Sequence, residues 1–268
     1  GGYTKKYHAV REVLLAFQGI PAEPLPAPPA LQNIGPVALT QQYSFLHNAT
    51  KIGKRHRSVM TRSMEYYGQN FGFILYHHDL KGPYEASKLF IDGLADRAYV
   101  YVNGQLRGMV YRNDKKKFVS IEALPDGGSL DILVEAMGRV NYGPELHDRK
   151  GVRQIRLNNQ VLFNWDVYTL PLDNIDALDY SGSEDFPAFL KGRFTTNSQA
   201  DCFVHLKGFT KGYVFINGFN LGRYWKIGPQ KSLYVPGTIL KQENEIIVLE
   251  LEGCRANEVE ITDYHDIG

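Results

Sequence analysis

Cysteine is scarce: the 268 residues hold only Cys202 and Cys254. Two thiols make neither a disulfide framework nor a metal-ligand cluster. Both read as buried thiols, with a bridge allowed but not expected. Charge of one sign is also lacking. Thirty Lys and Arg against 29 Asp and Glu leave a formal net charge of +1, so no global field draws the chain to nucleic acid or to an anionic membrane. No apolar run approaches the roughly eighteen residues that span a bilayer, and no signal peptide is visible; a cytoplasmic or cell-associated protein is expected. A Gly-rich phosphate loop and a Ser-centred nucleophile elbow are both missing. The histidines lack ligand spacing, and His77 and His78, adjacent in a strand-like run, point to opposite faces and cannot chelate one metal. Neither metal nor cofactor is expected.

What is present suits a globular protein with room for two domains: 43% hydrophobic and 22% charged residues, enough for two cores. The densest basic run, Lys51 to Arg62, reads as a solvated loop. Tyr7, Val10, Leu14 and Phe17, with Val13 beside them, mark one face of a helix that Thr4 caps and Gly19 and Pro21 stop. So short an amphipathic helix needs something to pack against. Pro21 to Pro36 holds six prolines in sixteen residues and reads as a semi-rigid linker.

From Val37 on, the pattern is β. Runs at Phe71–Tyr76, Tyr99–Val102, Leu130–Val134, Phe203–Leu206, Tyr213–Ile216 and Ile246–Leu251 are separated by Gly, Asn, Asp or Pro, as in sandwiches. LFIDGLADRAYVYVNG (Leu89–Gly104) aligns on FVHLKGFTKGYVFING (Phe203–Gly218) at an offset of 114, and the same offset carries Asp131–Val134 onto Glu245–Val248. Two similar all-β domains in tandem follow, divided near Leu172 to Glu184. Each carries an Asn-Gly pair, Asn103-Gly104 and Asn217-Gly218, suited to a type I′ hairpin turn.

These motifs carry a resemblance. TKKYHAVREVLLAF (Thr4–Phe17), DRAYVYVNG (Asp96–Gly104), VEAMGRVNYG (Val134–Gly143), GFTKGYVFINGFNLGRYW (Gly208–Trp225), GPQKSLYVP (Gly228–Pro236) and ENEIIVLELE (Glu243–Glu252) resemble the C-terminal part of a glycoside hydrolase family 35 β-galactosidase. The resemblance implies a catalytic TIM barrel followed by two β-sandwiches of jelly-roll, galactose-binding-like fold. It assigns residues 1–20 to the barrel's final helix and 21–36 to the linker. The first sandwich is then 37–175, with 37–60 free to pack on the second, and the second is 176–268. The barrel itself, with the two catalytic glutamates that cleave terminal β-linked galactose with retention, lies outside this sequence. The expected partners are therefore that barrel part and a β-galactoside at a shared cleft, with a homo-oligomer open. A stand-alone carbohydrate-binding module is the rival reading, and a purely structural domain pair is a third.

Within the chain no catalytic residue is expected. Glu243-Asn244-Glu245 echoes the family's acid/base signature, but Ile246 follows in place of Tyr-Gly and the repeat matches Glu245 with Asp131. Glu250 and Glu252, two apart on a strand, read as a solvent-facing pair. Arg223-Tyr224-Trp225 offers a sugar-stacking surface, yet packing is the favoured role. Gly138–Gly143 differs, because the second copy has no counterpart to it, and loops added to a scaffold are where function is usually added. The resemblance implies that this loop reaches the barrel mouth. A structural loop and a substrate-lining one both stay open, and Tyr142 is the candidate substrate-binding residue.

Overall fold

The head of the chain forms the helix its spacing predicts. In α1 (Lys5–Gln18) the Thr4 hydroxyl accepts the Tyr7 amide at 3.2 Å, and Gly19 ends the helix at φ +63°. No α1 residue is buried, and Phe17 is 89% exposed. The structure, a computed structural model, describes residues 2–179 and 185–268.

The elements that follow α1 are β1 (Gly35–Ser44), α2 (Phe45–Ile52), β2 (Lys54–Ser58), β3 (Phe73–Leu80), β4 (Ser87–Asp92), β5 (Arg97–Val102) and β6 (Gln105–Tyr111). Next come β7 (Phe118–Ile121), β8 (Gly128–Glu135), β9 (Gln154–Leu157), β10 (Gln160–Val161) and β11 (Trp165–Leu170). The last group is β12 (Ala188–Thr195), β13 (Cys202–His205), β14 (Lys211–Ile216), β15 (Phe219–Trp225), β16 (Ser232–Val235), β17 (Glu243–Glu250) and β18 (Glu258–Thr262).

Two compact units result, Ser44–Ser183 and Gly1–Tyr43 with Glu184–Gly268. The expected divide, Leu172 to Glu184, ends in residues 180–184, which lie outside the described residues. In the first unit a six-stranded sheet (β2-β11-β3-β8-β5-β6) and a four-stranded one (β10-β9-β4-β7) contribute to one core that includes Ile74, Val100, Ile132, Leu89, Ile155 and Trp165. In the second, one hydrogen-bonded series runs β15-β14-β17-β12-β1-β18-β13-β16. Its two halves both feed one core, with Val214, Val248 and Leu190 from one and Val37, Val204 and Ile261 from the other. That requires the series to fold back on itself as a sandwich.

Two sequence expectations change here, and one left open is decided. Residues 37–43, written in the first sandwich but left free to pack on the second, belong to the second: β1 lies between β12 and β18, with Val37 opposite Val259. The linker is shorter than its prolines suggest. Asp201 donates its amide to the Ala30 carbonyl (3.1 Å) and accepts that of Gln32 (3.0 Å) at its own carbonyl, so the second sandwich holds the chain from Ala30 onward. The first part of the basic run from Lys51 is no loop: it closes α2 and forms edge strand β2, where Arg55 and Arg57 both reach Asp166 on neighbouring β11, and residues 59–62 lie outside regular structure. A charged edge resists pairing with other chains.

Both Asn-Gly pairs are type I′ turns, with φ of +51° and +74° at Asn103 and Gly104 and +50° and +80° at Asn217 and Gly218. The repeat then slips by two. Tyr101 faces Asp131, whereas its counterpart Phe215 faces Ile247, so the offset is 114 on one strand and 116 on its partner. An even slip keeps every side chain on its own face. The counterpart of Glu245 is therefore Ser129 and not Asp131; their amides donate to Asn217 Oδ1 (3.0 Å) and Asn103 Oδ1 (2.9 Å). Gly218→Val is expected to cost the second sandwich about 1–3 kcal/mol through strain at positive φ; an unchanged thermal midpoint would contradict this.

Candidate functional site

The added loop of the first sandwich is long by comparison with its counterpart. Eighteen residues (136–153) join β8 to β9, where seven (251–257) join β17 to β18. Its tip is apolar and open to solvent: Tyr142 is 86% exposed, and Val140 and Leu146 are exposed with it. Gly138 and Gly143 have φ of +119° and +101°, a region that suits glycine, and Pro144–His147 makes one 3-10 turn.

Beneath this tip lies a knot of charge. Lys150 is 1% exposed. Its ammonium donates to both Asp96 oxygens (2.9 and 2.8 Å) and to Asp148 Oδ2 (2.9 Å), which uses all three of its hydrogens. Arg112, just past β6, donates to Asp96 Oδ1 (2.7 Å) and to both oxygens of Asp148 (2.5 and 3.3 Å). The Met137 amide also donates to Asp96, at 2.7 Å. Arg139 reaches Glu65 (2.6 Å) and the carbonyls of Asp148 (3.1 Å) and Asn70 (3.2 Å), while Glu65 accepts the Lys150 amide. Burial opposes ionisation of Asp148, but the bonds and charges of Arg112 and Lys150 outweigh it and hold its carboxyl below the ordinary range. Glu65 is likewise held low against burial by the Lys150 amide and Arg139. A cavity of about 550 Å³ opens beside the knot, lined by Arg112, Met137, Arg139, Val140 and others. With every carboxylate here paired to a cation, the arrangement suits holding a loop and not moving a proton.

The other candidates do not converge on this loop. Glu245 sits in strand register and pairs with Lys191 Nζ at 2.6 Å. Tyr224 faces the core with Phe209 against it, while Trp225 lies on the opposite face under Lys211 Nζ, 4.7 Å from the ring centre. The Arg-Tyr-Trp run is thus split by the period of its strand. Glu250 overturns the solvent-facing expectation: it is 0% exposed. It accepts the amides of Thr210 (2.8 Å), Lys211 (3.3 Å) and Glu252 (2.9 Å) and the Tyr224 hydroxyl (3.0 Å). Burial pushes its carboxyl up despite those donors, and burial with the Glu250 charge raises the Tyr224 phenol. The signal for this was in the strand itself, since alternation puts Glu250 on the face of Ile246 and Val248, both core residues. Both cysteines are free, and burial pushes the Cys202 thiol up to about 12.

His77 and His78 do face opposite ways. His77 Nδ1 lies 2.8 Å from Asp131 and its Nε2 3.4 Å from Asp79, whereas His78 stacks near Trp165. Among the described residues no group of three or more His, Cys, Asp or Glu is placed to hold a metal, and no helix is long and apolar enough to cross a membrane. The Asp131 bond and the charges of Asp131, Asp79 and Asp166 raise the His77 pKa against burial. A raised folded pKa stabilises most below the unfolded value near 6.5 and fades as pH rises through the folded one. His77→Gln is therefore expected to lose about 1 kcal/mol at pH 5.5 and less at pH 9, by denaturant titration; a gap constant with pH would contradict it.

Comparison with known proteins bears on both sandwiches. A family model described as "Beta-galactosidase, first all-beta domain" matches residues 61–171, and one described as "Beta-galactosidase, galactose-binding domain" matches residues 187–245. A "Beta-galactosidase-1-like protein" of Mus musculus is 37% identical over 279 residues, covering 96% of this chain and 42% of its own length. A "Beta-galactosidase" of Homo sapiens is 34% identical over 300 residues, covering 97% of this chain and 43% of its own length. The chain thus spans less than half the length of these relatives. Among solved structures, the apo Pleurotus ostreatus lectin aligns over 90% of this chain and 79% of its own at 10% identity and a TM-score of 0.26, too distant to bear on fold or ligand. Two β-galactosidase domain models in tandem, with likeness along nearly the whole chain, show that this chain belongs to the β-galactosidase family, as the part that carries its first all-β and galactose-binding domains.

Proposed function

We propose that this chain is the non-catalytic β-domain half of a β-galactosidase that hydrolyses terminal β-D-galactosyl residues with retention. In this reading it supports a catalytic TIM barrel and borders that barrel's substrate cleft through the Tyr142 loop. One observation carries it: the chain matches, in order, two β-galactosidase domains and is under half the length of its relatives. The unburied apolar stripe of α1 supports the same view, since a face holding Val13, Leu14 and Phe17 in water suits a helix made to pack on something larger. The two carboxylates that retention requires, about 5–5.5 Å apart across the bond, are then the barrel's. Glu245 is a poor substitute, bound to Lys191 within a sheet.

Two measurements test this. The purified chain alone should not turn over a chromogenic β-galactoside; turnover abolished by Glu245→Gln would end the proposal. In the intact enzyme Tyr142→Ala should lower kcat/KM on disaccharides about two- to twelve-fold, the equivalent of a lost stacking contact worth about 0.5–1.5 kcal/mol. A small aryl galactoside should respond differently, and the melting temperature should hold. Unchanged activity on every substrate would make Tyr142 a surface residue with no part in the cleft.

A further inference from the structure

We infer that Lys150, acting through Asp96, Asp148 and Arg112, is the positioning residue for the Tyr142 loop; as a statement about substrate handling this rests on the function proposed above. From Val140 to His147 the described hydrogen bonds stay within the loop, Leu146 to Gly143 and Asp148 to Glu145. The tip therefore stands where its two ends put it. Both ends close on one buried carboxylate. The entering strand delivers the Met137 amide to Asp96 Oδ2, and the returning strand delivers Lys150, whose ammonium bridges Asp96 to Asp148.

Arg112 reaches in from the β6–β7 connection to bridge the same two carboxylates. Arg139 straps the entering limb to the returning one at the Asp148 carbonyl. Two cations between two carboxylates form a closed set in which each member has a charged partner, and a low-dielectric setting makes such a set stiff when every member is satisfied. The backbone alone does not supply this stiffness, because the tip has Gly138 and Gly143 as its two swivels. The second sandwich, whose corresponding connection is seven residues long, has no projecting tip to hold. A charge knot placed under the loop that only one copy possesses is therefore a device for aiming that loop.

The test uses Asp148→Asn, the mildest break: Asp148 is the more exposed of the two acids, and the amide keeps the shape. In the full chain, hydrogen exchange is followed at the Met137, Leu146, Asp148 and Lys150 amides, with the β3–β8 ladder as control. Loop amides are expected to exchange about tenfold faster or more while the ladder is unchanged, the mark of local opening. In the intact enzyme, disaccharide kcat/KM is then measured for Asp148→Asn, Tyr142→Ala and the double variant. If the clamp works by aiming Tyr142, the double variant should be no worse than Tyr142→Ala. Loop exchange that is unchanged, or that rises only in step with the ladder, overturns the inference, as does full additivity of the two substitutions. Faster loop exchange with a Tyr142→Ala enzyme of normal activity on every substrate would leave the clamp as a loop holder and remove the cleft reading.

Discussion

Replacing Lys150 by Met is expected to destabilise the first sandwich by about 3–5 kcal/mol, the usual cost of stranding a buried charge. Met matches the length of the lysine stem and keeps its packing, so the loss isolates the ammonium. Asp96 and Asp148 would keep Arg112 but lose the cation that fits between them. For a domain of ordinary stability, about 5–15 kcal/mol, this consumes a large share. The pH dependence has a definite sign. Asp148 is held below its ordinary range in the native protein, so its contribution is present above the unfolded carboxylate pKa and lost as pH falls through the lower folded value. The gap between the two proteins should thus be widest near neutrality and narrow in acid. Adding Asp148→Asn to Lys150→Met should restore part of the loss by removing one stranded charge. A double variant no more stable than Lys150→Met, or a gap that widens in acid, would mean that the loss does not come from stranding the carboxylate charges.

Gly212→Ala should be comparably damaging in the second sandwich, about 3–5 kcal/mol, in the range reserved for substitutions with nowhere to go. Gly212 lies on β14 between Glu250 of β17 and Tyr224 of β15. A Cβ there would stand 1.6 Å from the Leu249 carbonyl oxygen and 2.9 Å from the Tyr224 hydroxyl. The first of these is backbone in a paired strand, so relief means parting the ladder. The same movement would disturb the hydroxyl that the Leu249 carbonyl and Glu250 share. Gly228→Ala is the control, since its Cβ would meet only the Trp225 carbonyl oxygen, at 3.4 Å, and should change stability by no more than about 0.5 kcal/mol. Thermal melts of the two variants that coincide would show that β14 yields more easily than its packing allows.

Much of this protein was legible in its sequence because the causes are local. Thr4, Gly19 and the 3-4-3 spacing of Tyr7, Val10, Leu14 and Phe17 specify α1 from within its own turns. Asn-Gly specifies each hairpin, since Asn and Gly are among the few residues that accept positive φ in succession at little cost. The repeat announced a duplicated sandwich, and the glycines around Arg139–Tyr142 marked the added loop.

What the sequence left undecided depends on partners far along the chain. Lys150 and Asp96 are 54 residues apart, and nothing near either says that one neutralises the other. Glu250 reads as a surface acid until the Thr210 and Lys211 amides and the Tyr224 hydroxyl, 26 to 40 residues away, are seen to surround it. Residues 37–43 alternate well enough for either sandwich, and only their place between β12 and β18 assigns them. The two-residue slip between β8 and β17 escapes any alignment, since a register is a relation between strands and even slips preserve the pattern. Periodicity and turn chemistry act over a few residues and are written in them; strand register and the pairing of buried charges are relations across the fold, and only the tertiary structure decided them.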